Sequence, residues 1–205
     1  MNQNKITSEA VELLPHECRL AFKEWEGVCA ALGSGRQVLI FRKGGVAEDR
    51  GVFVPDHDRF WLYPTRVHET EQGLREGSGG SIASDRSRGV TIELFARVER
   101  IKRIKDIKII ENLFFEHVWT AETIRKRFDY REPGLWCMLV RIYRSDPAWA
   151  IANDPAAAGC KTWVEVAPPS ERVRLNPVLG EAEFIERVER IELVWNMEAN
   201  REASN

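Results

Sequence analysis

The chain has 205 residues, 43% apolar and 30% charged, enough for one large domain or two small ones with a core that needs no disulfide or metal. Lys and Arg number 30 against 32 Asp and Glu, so the net charge of −2 excludes a global pull toward nucleic acid or an anionic membrane; any polyanion site has to be a local patch. No apolar run approaches the ~20 residues that cross a bilayer, and residues 1–10 are polar with no apolar stretch, so no membrane partner and no signal peptide are expected. Cys18, Cys29, Cys137 and Cys160 form no C-x-x-C pair and read as reduced thiols, so the expected location is the cytoplasm.

Residues 1–15 read as a loose polar start. From 17 to 32, Cys18, Ala21, Phe22, Trp25, Val28, Cys29 and Leu32 recur at spacings of three and four, which predicts an N-terminal amphipathic helix ended by Gly33. Residues 37–42, 51–54 and 60–63 predict strands, the last two stopped by Pro55 and Pro64. Residues 72–89 are rich in Gly and Ser and predict a flexible loop, either a boundary between two subdomains or an excursion within one. Residues 90–101 alternate, with Ile92, Leu94, Ala96 and Val98 on one side.

Asp106 caps one expected short helix and Thr120 another over 121–128. The nearly unbroken apolar run 135–142 predicts a central strand covered on both faces. Asp146-Pro147 reads as the start of a short helix, and 161–166 as a strand. A last helix over 181–195 turns Phe184, Ile185, Val188, Ile191 and Trp195 inward. Helices and strands intermix without a βαβ rhythm, which predicts an α+β fold with a mostly antiparallel, barrel-like sheet and amphipathic helices at both ends.

Several blocks resemble a bacterial family. They run from Ala21 through Glu24-Trp25, Cys29-Ala30-Ala31-Leu32-Gly33 and Arg42-Lys43-Gly44-Gly45 to Arg59-Phe60-Trp61-Leu62-Tyr63-Pro64-Thr65 and His68. His117-Val118-Trp119-Thr120, Arg127-Phe128, Leu135-Trp136, the run Leu139-Val140-Arg141-Ile142-Tyr143-Arg144, and Gly159-Cys160 before Trp163-Val164-Glu165 continue the likeness. The family is a domain of unknown function, number eighteen-oh-two. The resemblance covers roughly 17–190, read as one α+β domain with 72–89 as a variable loop, and it implies a grouping without an activity, substrate or cofactor.

The most informative local feature is the strand Val38-Leu39-Ile40-Phe41 running into Arg42-Lys43-Gly44-Gly45. Glycines beside two cations can present N–H groups to an anion, although G-x-x-x-x-G-K-[ST] is absent and a plain hairpin end has the same letters. Two basic groups stand further on: Arg97, Arg100, Lys102, Arg103, Lys105 and Lys108, then Arg125, Lys126, Arg127 and Arg131 near Tyr130 and Trp119. Cations among aromatics suit a phosphate backbone and stacked bases, while the interspersed carboxylates equally suit a salt-bridged face.

Other chemistries find little support. The histidines His16, His57, His68 and His117 lack metal-ligand spacing, so no metal or other cofactor is expected. G-x-S-x-G is absent, Cys160 is a weak candidate thiol with His68 or His117 as base, and there is no E-x-K triplet for a magnesium-dependent nuclease.

Three functions remain. One is a binding module for nucleic acid or another phosphate-bearing ligand, using Arg42, Lys43, Gly44, Gly45, Arg125 and Arg127 for charge and Tyr63, Trp61 or Trp119 for stacking. Another is an enzyme on a small anionic or nucleotide substrate with His68 or His117 as acid/base. The third is a structural protein that oligomerises through its terminal helices.

Overall fold

A curled sheet flanked by helices carries the fold. The computed structural model describes residues 17–43, 57–66, 73–75, 89–152 and 161–202, with side chains through 197. In chain order these residues form β1 (Leu20–Trp25), α1 (Glu26–Gly33), β2 (Leu39–Arg42), β3 (Arg59–Thr65) and β4 (Val90–Ile104). Next come α2 (Ile107–Asn112), a 3-10 turn (Phe114–Glu116), α3 (Ala121–Asp129), β5 (Leu135–Ile151), β6 (Trp163–Glu165), β7 (Arg174–Pro177) and α4 (Glu181–Glu202).

The sheet runs β2-β5-β4-β3-β1-β6, with β7 on the same edge of β5 as β2. Every described ladder is antiparallel except β1 with β3. The long β4–β5 ribbon is its spine, bent at register shifts between Ile92 and Leu94 and between Val98 and Arg100. Such irregularities raise local twist and let a sheet curl.

Both faces of the sheet are covered. Phe22, Phe41, Phe60, Leu62, Leu94, Val140 and Ile142 point to the main core, which is filled from the helices by Val28, Leu32, Ile124, Phe128, Ile191 and Trp195. On the other face Ala21, Trp61, Tyr63, Ile92, Phe95 and Val164 form a second cluster. Phe95, which interrupts the polar row in the alternation of β4, belongs to that second cluster and is 5% exposed.

The curl has a measurable consequence. In ladder order β2 and β1 lie four steps apart, about 19 Å in a flat sheet at ~4.8 Å per step. Yet Arg42 Nη2 donates to the Lys23 carbonyl. The sheet has therefore rolled until its β2 side meets β1. It is not closed into the expected barrel: among the described residues no ladder joins β2 to β1, and a side chain spans the gap.

The capped helices form where expected. Asp106 accepts from the Lys108 amide at 2.9 Å and Thr120 from the Thr123 amide at 3.3 Å. The expected N-terminal helix is split. Residues 20–25 are a strand, and the helix begins only at Glu26. With Ala21, Phe22, Lys23 and Glu24 all buried, both strand faces are covered, and the polar–apolar alternation that marks a half-exposed strand is missing. The short helix expected at Asp146-Pro147 is also absent; β5 continues through that cis peptide to Ile151. Ile185 turns outward, 46% exposed, while Phe184, Ile191 and Trp195 of α4 face the core.

The expected strand 51–54 and most of 72–89 lie outside the described residues; β3 and β4, on either side of that stretch, pair directly. Gly134 sits at φ 126°, and a Cβ there would lie 3.0 Å from the Ile104 carbonyl oxygen. Gly134→Ala should lower stability by about 2 kcal/mol, read as a lower urea midpoint with an unchanged m-value; an unaltered midpoint would contradict the strain argument.

Candidate functional site

The gap between β1 and β2 is lined by charge and indole. Glu24 and Trp25 close β1, beside Pro64 and Thr65 at the parallel end of β3. Arg42 arrives from the end of β2, with its guanidinium 4.2 Å from the centre of the Phe22 ring. Arg127 projects from α3, 4.5 Å from the Trp25 ring and 4.1 Å from the Trp119 ring. The two indoles are 4.6 Å apart and tilted by 39°, so they and the guanidinium make one stacked unit.

Trp119 is fully buried, whereas Trp25, Arg42 and Arg127 are half-buried. Leu74 covers this wall: its backbone bridges to Trp119, and its side chain lies where a Cβ on Gly27 would sit, 2.4 Å away. Gly27 is glycine because that strap passes over α1.

The electrostatics of this seam are tight. Burial pushes the Arg127 guanidinium down to about 10; Glu24 opposes that shift and Arg42 adds to it. Arg127 therefore stays charged at neutral pH. Glu24 is 2% exposed. Its Oε1 accepts from the Trp25 amide at 2.8 Å. Three other buried polar atoms here, Glu24 Oε2, Arg42 Nε and Trp119 Nε1, have no hydrogen-bond partner among the described residues. Cys29 lies beneath, its Sγ 3.8 Å from the Glu24 carbonyl. Burial, reinforced by the Glu24 and Glu26 carboxylates, raises the thiol pKa well above its ordinary value, so it stays a thiol. Glu26 is held by both Arg66 nitrogens Nε and Nη2.

Of the residues singled out in the sequence, Arg42, Trp119 and Arg127 converge on this seam. Lys43 is occupied otherwise. Its Nζ donates to the carbonyls of Phe128 at 2.6 Å, Gly134 at 3.0 Å and Glu132, tying the end of β2 to the end of α3. Arg125 is exposed and pairs with Glu111. Tyr63 lies on the opposite sheet face, in the second cluster. Gly44, Gly45, His68 and Cys160 lie outside the described residues.

His117 is 2% exposed between the rings of Phe41 and Phe114. Its Nδ1 accepts from the Trp119 amide at 3.2 Å, and the Ile110 carbonyl also bonds the ring. Burial, and then the charge of Arg75, push it down to about 4. It is neutral at pH 7 and holds the turn that delivers Trp119.

The basic blocks of the sequence are largely compensated. Arg97 pairs with Glu99, Arg100 with Glu192, Arg103 with Glu132 and Lys126 with Glu122. No group of three His, Cys, Asp or Glu able to hold a metal occurs among the described residues. No helix among them is long and apolar enough to cross a membrane. Glu24 and Trp25, which complete the seam, were not singled out as site residues. Their only signal was a charged pair, Lys23-Glu24, inside an apolar stretch.

Residues 21–190 match a domain of unknown function, DUF1802. The chain belongs to this family. The seam of this DUF1802 domain draws on Glu24, Trp25, Arg42, Trp119 and Arg127, all within the matched span. No curated protein matches the chain in sequence. Among solved structures, the crystal structure of ASCH from Zymomonas mobilis is 18% identical, with a TM-score of 0.41 over 83% of this chain and 93% of that one. A mutant of the same ASCH protein is 16% identical, with a TM-score of 0.45 over 72% and 88%.

The displaced histidine sets a pH dependence. The folded pKa lies below the ordinary 6.5, so the stability that neutral His117 contributes is complete above pH 6.5 and lost as pH falls toward 4. Between pH 7 and pH 5 the loss should be about 2 kcal/mol. Urea titrations at both pH values should show it, and His117→Gln should flatten the slope; equal slopes in the two proteins would contradict the assignment.

Proposed function

We propose that the protein is a binding module for a phosphate-bearing ligand and that it takes a nucleotide, free or at the end of a nucleic-acid strand, into the β1–β2 seam. The observation that carries this reading is the set of three buried polar atoms around Arg127 with no hydrogen-bond partner among the described residues: Glu24 Oε2, Arg42 Nε and Trp119 Nε1. Each such atom costs about 1–3 kcal/mol when left without a partner. Two donors and one acceptor in one gap match a ligand that brings both anionic oxygens and a hydroxyl or amino group.

A phosphate oxygen satisfies Arg42 and Trp119. Guanidinium suits it because its planar fork meets two oxygens at once. A sugar hydroxyl or exocyclic amine satisfies Glu24. The half-buried Trp25 supplies a face on which a base stacks. Binding is favoured over catalysis because Cys29 is held as a thiol and His117 is buried, with the rings of Phe41 and Phe114 beside it. A nucleic-acid groove along Arg100, Arg103, Arg125 and Lys126 is disfavoured by their carboxylate partners.

The test is titration of the protein with nucleoside phosphates, read by indole fluorescence and calorimetry. Micromolar or tighter binding is expected. Arg42→Gln and Arg127→Lys should each weaken it about tenfold or more, the scale of one charged hydrogen bond. Affinity that is absent in the parent, or identical in both variants, would remove the seam as the binding site.

A further inference from the structure

The ladders align arginines from four separate stretches of sequence. Arg59 of β3 pairs with Arg97 of β4, and Arg97 pairs with Arg141 of β5. The β1–β3 register, Ala21 with Trp61, carried back two residues sets Arg19 beside Arg59. Each stands two positions from a residue of the second cluster or packed against it: Ala21, Trp61, Phe95 and Tyr143. Side chains two apart in a strand share a face. Arg19, Arg59 and Arg97 therefore share one face and cross two interstrand steps, about 10 Å in all, whereas the Arg141 side chain is 12% exposed and its guanidinium lies 5.0 Å from the Phe184 ring.

Like charges directly opposite one another destabilise a sheet, so the row needs counter-charge. The protein supplies an incomplete set. Glu99 lies 2.6 Å from Arg97 and Glu181 2.5 Å from Arg141, while Asp58 is 3.8 Å from Arg59. Arg19 is exposed and has no ion pair among the described residues. The Nε atoms of Arg59 and Arg141 are buried and unpartnered among the described residues. The Asp58 carboxylate is 39% exposed and the Arg59 side chain 27%, and a surface pair of that kind is worth little and gives way readily.

We infer that the row of Arg19, Arg59 and Arg97 is a track for the phosphodiester backbone of a nucleic-acid strand, laid across β1, β3 and β4. Evenly spaced cations on a rigid sheet match evenly spaced anions. The neighbouring aromatic row offers no free stacking face, since Trp61 is 0% and Phe95 5% exposed, so the contact is to backbone and independent of sequence. The track stands apart from the seam. It begins at the start of β1, on the second-cluster face, whereas Glu24 and Trp25 end that strand, about 16 Å further along. It does not rest on the seam reading.

The test is fluorescence anisotropy of a labelled oligodeoxythymidylate with the full chain across a salt series. Affinity should fall with a log–log slope of about −2, near 0.7 for each phosphate held. Arg19→Gln, Arg59→Gln and Arg97→Gln should each weaken binding severalfold and reduce the slope by about 0.7. The triple lysine variant should retain binding. Arg19→Glu breaks no ion pair, so it serves where a multiple variant fails to fold; it should weaken binding about tenfold. No binding at low salt, an unchanged slope in the glutamine variants, or equal competition by polyglutamate in place of a nucleic acid would each overturn the track. Mononucleotide binding that is intact in Arg19→Gln while its oligonucleotide slope falls would separate the track from the seam.

Discussion

One side-chain hydrogen bond, from Arg42 to the carbonyl of Lys23, records the constraint on which the architecture turns. It brings together two strands that the ladder order places far apart. Because the sheet stops short of closing, the last step between its two sides is made by a guanidinium. A closed ladder would have filled this space with backbone. The open one leaves room for Glu24, Trp25 and Arg127, and polar atoms are withdrawn from water there without being fully paired.

The helices hold that geometry from outside. Lys43, next to Arg42, fastens the same strand end to the close of α3, so consecutive residues tie β2 to β1 and to the helix that carries Arg127. Arg75 donates to the carbonyls of Phe114 and His117 and stacks 4.0 Å above the Phe114 ring, fixing the strap that covers Trp119. On α4, Arg187 and Arg190 meet the buried Glu116, and Arg187 reaches the Gly35 carbonyl. Their charge is spent on backbone ends and buried carboxylates, which is why a run of basic letters here does not amount to a basic surface.

Local chemistry was the legible part of the sequence. The caps Asp106 and Thr120, the apolar run of central β5 and the inward face of α4 all rest on neighbours within a few residues, as does the alternation of Leu94, Ala96 and Val98, whereas the register shift between Ile92 and Leu94 turns Ile92 to the other face. Residues 20–25 were misread because Ala21, Phe22 and Trp25 fit a helical stripe, and only their pairing with β3 and β6 shows them to be a strand. The same long-range pairing hid Glu24 and Trp25 as site residues. Arg42, Trp119 and Arg127 were visible because cations beside glycines and indoles stand out in any context. The arginine row had no local signature at all, since its members are neighbours only across ladders.

The pairing of β1 with β6 bears on how the chain matures during translation. Leu20, Ala21 and Phe22 lie against Glu165, Val164 and Trp163, so a strand near the beginning has its outer edge capped by residues made far later. Until the ribosome has released that segment, the nascent domain presents an open apolar border, the kind of template that recruits foreign strands. Completion of the sheet is thus delayed to a late stage of synthesis, and a chain truncated before residue 163 would leave that border exposed.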